Sequence, residues 1–170
     1  MPSVKDFRIN TFTRENMDKS GNHLGKNVYP KLYFIENLLR ILIHSILTVQ
    51  APGNWWDTSV SQSIKDKAVR FKQQYVKKTW HTAPGTHDIY FIDMKDLNEI
   101  IRANRNLFDP LIPALDKWIT DFEGIRLPRN IVAHMNFPLE VDQKRIDVLY
   151  NDCKELLTIV MKQIAIIIPT

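Results

Sequence analysis

The chain has 170 residues, which sets one domain as the expectation and is long enough to bury a self-sufficient core. Apolar residues make up 44% and charged residues 25%, with only five glycines, so a mainly disordered, collagen-like or low-complexity chain is excluded. The single cysteine, Cys153, excludes an internal disulfide and a Cys-rich zinc module, while 23 Lys and Arg against 19 Asp and Glu give +4, which permits a polyanionic partner without demanding one.

Residues 1–29 read as a polar arm with Gly21 and Gly25, no sustained period and no apolar secretory core. Pro30 is expected to open a long helix over 30–49. Its stripe, Leu32, Ile35, Leu39, Leu42, Ile46 and Val49, alternates steps of three and four. Leu38 and Ile41 widen it, so two faces are expected to be covered. The string Ala51-Pro52-Gly53-Asn54 stops it. Segments 38–49 and 156–169 are strongly apolar, but Arg40 and His44 interrupt the first and Lys162 and Gln163 the second. Neither reaches the roughly 18 uninterrupted apolar residues of a span, so buried helices of a cytoplasmic protein are expected, with no membrane partner.

Asp57, Thr58 or Ser59 can cap a second helix over 60–78, with Val60, Ile64, Ala68, Phe71 and Tyr75 on its apolar face. Residues 79–88 form a loop, and 89–92 are too short to decide beyond a brief extended piece. Asp93 is a good N-cap for a helix over 94–103. A further helix is expected over 109–122, with Pro110 and Pro113 in its first turn, where proline costs little. Leu127-Pro128 is expected to start a short separate helix that ends before Phe137-Pro138. Asp142 would cap the last helix, over 143–168, with Ile146, Leu149, Cys153, Leu156, Val160, Ile164 and Ile167 as its stripe. Strand signals are nearly absent, so the fold class is all-α: a compact bundle around two long apolar helices.

The most specific string for chemistry is Leu127-Pro128-Arg129-Asn130-Ile131-Val132-Ala133-His134. With Pro128 at the start of a helix, Arg129 and Asn130 would lie in its first turn, where free N–H groups and the dipole favour an anion. Arg129 can grip a phosphate, and His134 suits proton transfer. Five residues of ideal helix separate the two side chains by about 140°, so a shared site needs a second wall, which a two-fold contact between copies would supply. The same residues also read as an Arg satisfying local carbonyls and a satisfied core histidine.

Glu36, Arg40 and His44 share one face of the first long helix. They read either as a polar ridge facing the site, with Glu36 orienting Arg129 or Arg40 touching phosphate, or as an ion pair at a core edge. The second helix carries Lys65, Lys67, Arg70, Lys72, Lys77 and Lys78 against Asp66 alone, interleaved with Phe71, Tyr75 and Trp80. Of these, Lys65, Arg70, Lys72, Lys77, Lys78 and Trp80 are the candidate RNA contacts, the cations on phosphates and Trp80 on a base; a solvated helix face is the other reading. His81 and His87 bracket a Pro-Gly loop, and two histidines fall short of the three or four ligands a metal needs, so no metal is expected. Cys153 reads as a packing residue, and no Gly-rich phosphate loop is present.

Arg129-Asn130-x-x-x-His134, late in an all-α chain and just before the final helix, resembles the Arg-x(4–6)-His signature of HEPN (higher eukaryotes and prokaryotes nucleotide-binding) domains. Tyr33-x-x-Glu36-x-x-Leu39-Arg40 resembles the opening helix of one HEPN subfamily, as do Trp55-Trp56 before a helix and Tyr90-Phe91-Ile92-Asp93-Met94-Lys95-Asp96-Leu97. That subfamily includes the domain attached to a nuclear transcript-surveillance endoribonuclease and its bacterial relatives. The resemblance covers about 30–168. It implies a homodimer with a composite site, a metal-independent endoribonuclease without cofactor, and a toxin or defence effector held in check by an antitoxin protein. Arg129 and His134 would be the catalytic pair with Asn130 beside them, and Glu36 and Arg40 would support them. The 2′-hydroxyl of RNA would attack the adjacent phosphate and leave a 2′,3′-cyclic phosphate. The resemblance also allows an inactive module that binds RNA or nucleotide and regulates a partner.

Overall fold

A computed structural model describes residues 6–9, 11–51 and 53–170. Residues 1–5, 10 and 52, parts of the expected arm and of the expected stop after the first long helix, lie outside them. Every regular element among the described residues is helical.

The arm is the first departure from the sequence reading. Helix α1 (Arg14–His23) opens where the Thr13 side chain accepts the Asn16 N–H at 3.1 Å. A single π-helical turn, Leu24–Val28, then carries the chain straight into α2 (Tyr29–Gln50). Pro30 therefore sits just behind the widened turn instead of opening the helix. A proline cannot donate to the carbonyl behind it and crowds that carbonyl, and a wider turn relieves both problems. Polar contacts dock α1 in place of an apolar stripe. His23 Nε2 lies 2.7 Å from Gln143 Oε1, its ring stacks on Phe137, and Arg8 Nη2 donates to the Phe137 carbonyl at 2.6 Å.

Helix α2 is the centre of the bundle. Leu32, Ile35, Leu39, Leu42 and Ile46 are buried, and Leu38, Ile43 and Leu47 bury a second face; only Val49 of the expected stripe is exposed. The continuous Arg14–Gln50 rod is long and apolar enough, by length and composition, to cross a membrane (mean hydropathy 1.5 over its most apolar window), and 56% of that window is buried against the rest of the protein. A core helix passes the same test.

The partner of α2 is α8 (Glu140–Met161), which buries Ile146, Leu149, Cys153, Leu156 and Val160. Burial pushes the Cys153 thiol up to about 12, so it packs as an apolar group. Two expected limits of α8 change. Asp142 lies inside the first turn and Leu139 precedes the helix without a side-chain cap, and the helix ends at Met161. Beyond it the chain turns and runs irregularly back to α2, where the Ile167 N–H donates to Ser45 Oγ at 2.8 Å, and Tyr90 donates to the Pro169 carbonyl at 3.2 Å.

Between these helices run α3 (Trp55–Ser59), α4 (Gln62–Val76), a 3-10 turn at Asp88–Phe91, α5 (Met94–Ala103) and α6 (Arg105–Phe108). The expected caps Asp57, Thr58 and Ser59 fall within or at the end of α3, and α4 starts after Ser61. The undecided piece at 89–92 becomes the 3-10 turn. Asp93 caps α5 as expected. It accepts the N–H groups of Lys95 and Asp96, and Asp96 returns the bond in a capping box. Lys67 of α4 clamps that box, 2.7 Å from Asp93 and 2.6 Å from Asp96.

The largest departure is α7 (Leu115–Ala133), a single helix where two were expected. Pro110 and Pro113 precede it, and Ala114 breaks the chain in the left-handed conformation at φ 55°. Pro128 lies buried inside the helix. Having no N–H, it cannot donate to the Gly124 carbonyl four residues back, at a helix cost of about 3 kcal/mol. The apolar register Leu115, Trp118, Phe122, Ile125 and Val132 persists through it, packed on α5 and α8, and that burial outweighs the loss.

Candidate functional site

The continuity of α7 changes what Arg129 can be. Arg129 and Asn130 lie in the last turns of a long helix, so no free first-turn N–H groups surround them and the expected helix-start anion site is absent. What holds Arg129 is α2. Its Nε donates to Glu36 Oε2 at 2.7 Å and its Nη2 to Oε1 at 3.0 Å, a two-pronged pair across 93 residues of sequence. Arg40 Nη2 donates to the same Oε1 at 2.6 Å, and Arg40 also donates to the carbonyls of Ile89 and Ile92. Arg129 Nη1 donates to Asn130 Oδ1 at 3.2 Å.

Glu36 and Arg40 are buried, and Arg129 is partly open. Burial by itself would raise the Glu36 carboxyl. The hydrogen bond from Arg129 and the charges of Arg40 and Arg129 overcome it and hold the carboxyl below its ordinary value. One carboxylate thus answers two guanidinium groups, and the local charge is positive.

Two grooves meet at this cluster, because Arg40 and Arg129 line both. The first, about 530 Å³, has the exposed rings of Tyr29 and Tyr33 on α2, Val132 and Met135 at the end of α7, and the open backbone of Gly21 and Gly25 beside the π turn. The second, about 580 Å³, lies between α4 and the Asp88–Phe91 turn and adds Lys67, Arg70, Phe71 and Tyr90. Tyr29 was missed from sequence and Tyr33 was read only as part of the first helix's motif, although their spacing of four, off the apolar stripe, is a legible sign of an aromatic surface pair.

His134 is not part of this cluster. It ends α7, is exposed, and lines neither groove, whereas Ala133 and Met135 on either side line the first. Within one chain, Arg129, Asn130, Glu36 and Arg40 come together and His134 lines neither groove, in keeping with the helical offset of five residues.

The candidate RNA contacts divide. Arg70 is exposed and lines the second groove. Lys77, Lys78 and Trp80 are exposed at the end of α4 and beyond, with Trp80 76% accessible. Lys65 and Lys72 are used internally. Lys65 donates to the Asp57 carbonyl, and Lys72 pairs with Asp88 and donates to the Thr86 carbonyl.

His44, expected on a polar ridge with Glu36 and Arg40, belongs to a separate aromatic cluster. Its Nδ1 accepts Trp55 Nε1–H at 3.3 Å, its ring meets His87 at 4.9 Å, and Trp55 stacks on His87. His87 Nδ1 in turn accepts the Ile89 N–H at 3.1 Å. No group of three or more His, Cys, Asp or Glu side chains converges among the described residues. Burial, with the His87 ring adding to it, pushes His44 down to about 4, and burial lowers His87 as well.

A histidine neutral in the fold and protonated in the unfolded chain costs nothing above pH 6.5. Stability then falls as pH drops from 6.5 towards 4, because only the unfolded state takes the proton. The His44 share reaches about 3 kcal/mol at 1.36 kcal/mol per pH unit. Chemical denaturation across that window is expected to show a steeper loss for wild type than for His44→Asn, whose amide oxygen can still accept from Trp55.

Compared with known proteins, the chain matches no family model, no curated protein and no solved structure.

Proposed function

We propose that this chain is a HEPN-like, metal-independent endoribonuclease that acts on single-stranded RNA in the cytoplasm as a homodimer. The observation that carries the reading is the position of Arg129, held side-on by Glu36 where two grooves meet, one of them lined by cations and aromatic rings. A backbone crossing that junction would place a phosphate beside Arg129. The Arg129 guanidinium keeps N–H groups that Glu36 and Asn130 do not use, and these can stabilise charge developing on a phosphorane. The attacking group is the 2′-hydroxyl, whose proton goes to a base, while the 5′-oxygen leaves with a proton from an acid; no metal is required. His134 is the group in this motif able to carry those protons. Because it lines neither groove in one chain, the reading requires a second copy packed along the end of α7, so that the histidine of one copy meets the arginine of the other. A cell making such a toxin or defence effector would need an antitoxin protein to restrain it.

A second reading is favoured by the same offset of His134 from the grooves: an inactive HEPN module that binds RNA or nucleotide and regulates a partner. Incubation of purified protein with RNA in EDTA separates the two. The ribonuclease reading expects fragments ending in 2′,3′-cyclic phosphate. RNA bound by folded protein without any product would overturn it and leave the binding module.

A further inference from the structure

We infer that the groove between α4 and the Asp88–Phe91 turn is a nucleotide subsite, with a phosphate on Arg70 and a base against the rings of Phe71 and Tyr90. This deepens the RNA reading and rests on it for the direction of the strand, since the groove runs into the Arg129 junction. The ligand class follows from the lining itself.

Arg40, Arg129, Lys67 and Arg70 bring four cations to the groove and its floor. Glu36 answers the two deeper arginines, and Asp93 and Asp96 hold Lys67. Arg70 is exposed, and no hydrogen bond or ion pair engages it among the described residues. Among the described residues the whole Arg70 fork is therefore open to an incoming anion, and an arginine fork suits phosphate.

An aromatic wall stands beside Arg70. Phe71 is 41% exposed, although it lies on the face of α4 that packs on the turn. It is held edge-on by Tyr75 at 5.6 Å and Phe91 at 6.4 Å, so it presents an ordered ring to the groove. Tyr90 is pinned at both ends. Its hydroxyl donates to the Pro169 carbonyl, and its ring lies so close to Gly85 that a Cβ there would overlap it. Gly85 is thus glycine for a packing reason, and that reason is the placement of a groove-lining ring. Ordered rings beside an unpaired arginine, with the amide of Gln74 in the same wall, match a base with its phosphate. Bases inside a duplex are already stacked and cannot reach such rings, so the ligand is a single strand.

The test uses the full chain and a short fluorescent 2′-O-methyl RNA strand, which binds like RNA but has no free 2′-hydroxyl to react. Anisotropy over a salt series gives the affinity and the salt slope. Phe71→Ala and Tyr90→Ala are each expected to weaken binding about fivefold to a hundredfold with the slope unchanged, as lost stacking does. Arg70→Gln is expected to lower the slope by about 0.7, the value for one phosphate contact on a single strand. Lys154→Gln, an equal charge change on α8, is expected to alter neither. Phe71→Leu keeps the apolar packing and removes the ring, so it replaces Phe71→Ala if that variant loses its thermal transition. Wild-type affinity in the folded ring variants together with an unchanged slope in Arg70→Gln would overturn the subsite, as would failure of the wild type to bind the strand. Loss of affinity in these variants without cleavage of ordinary RNA by wild type would keep the subsite and reject the ribonuclease. Cleavage by wild type with binding insensitive to all of them would do the reverse.

Discussion

His134→Ala is expected to keep the fold and to slow RNA cleavage by about a hundredfold to ten-thousandfold, the range for losing a positioned acid or base. The structural side of this expectation rests on exposure. The imidazole engages no hydrogen-bond partner among the described residues, and only backbone atoms of His134 take part in closing α7. Its N–H bonds to the Asn130 carbonyl at 3.0 Å and its own carbonyl accepts from Asn136 Nδ2 at 3.0 Å, and alanine preserves both. Stability should therefore change by no more than about 0.5 kcal/mol. Thermal melting and a cleavage time course in EDTA read the two properties separately, and normal cleavage by the variant would remove His134 from the mechanism. Mixing carries the test further. If Arg129 of one copy works with His134 of the other, a dimer of Arg129→Ala with His134→Ala holds one site with both groups intact, and the mixture regains activity that neither variant has alone. A pair working within one chain would give no such recovery.

Glu36→Gln is expected to have the largest effect on stability, a loss of about 3 kcal/mol or more. Removing one partner of a buried ion pair leaves the other charge uncompensated, and here two guanidinium groups lose the one carboxylate that pairs with them among the described residues. The glutamine oxygen can still accept, but it carries no charge and offers one acceptor in place of two. The carboxyl is held below its ordinary value, so its contribution is present at neutral pH and is lost as pH falls through that lowered value. Urea unfolding at neutral pH measures the loss; a variant as stable as wild type would mean that the cluster is not a structural keystone. On the ribonuclease reading, variant protein that remains folded should also cleave more slowly, because Arg129 is no longer aimed from the floor of the grooves.

Where the sequence reading succeeded, the signal was local. The stripes of α2 and α8 repeat every three to four residues, so their helical form and buried faces need no knowledge of the neighbours. Asp93 and Asp96 cap α5 through bonds that span three residues. The Glu36–Arg40 pair is likewise a contact between successive turns.

Where it failed, distance along the chain or competition between terms decided. Residues 14–28 carry no apolar stripe, yet they are helical because His23 and Arg8 are tied to the segment at 137–143. Pro128 is a sound local reason to start a helix, and the packing of Trp118, Phe122, Ile125 and Val132 overrides it. That same override removes the helix start proposed around Arg129, and the α2 carboxylate takes over as the group that positions it.

The all-helical class and the two central helices were thus readable from order and spacing, since periodicity and caps depend on a few neighbouring bonds. The contact of Glu36 with Arg129 was one of two readings open for Glu36, and the fold decided for it; the exclusion of His134 from both grooves and the placement of Arg70 beside Phe71 and Tyr90 belong to the folded chain. They arise from side chains brought together across dozens of residues by the burial of the whole core, a sum that no single stretch of sequence contains.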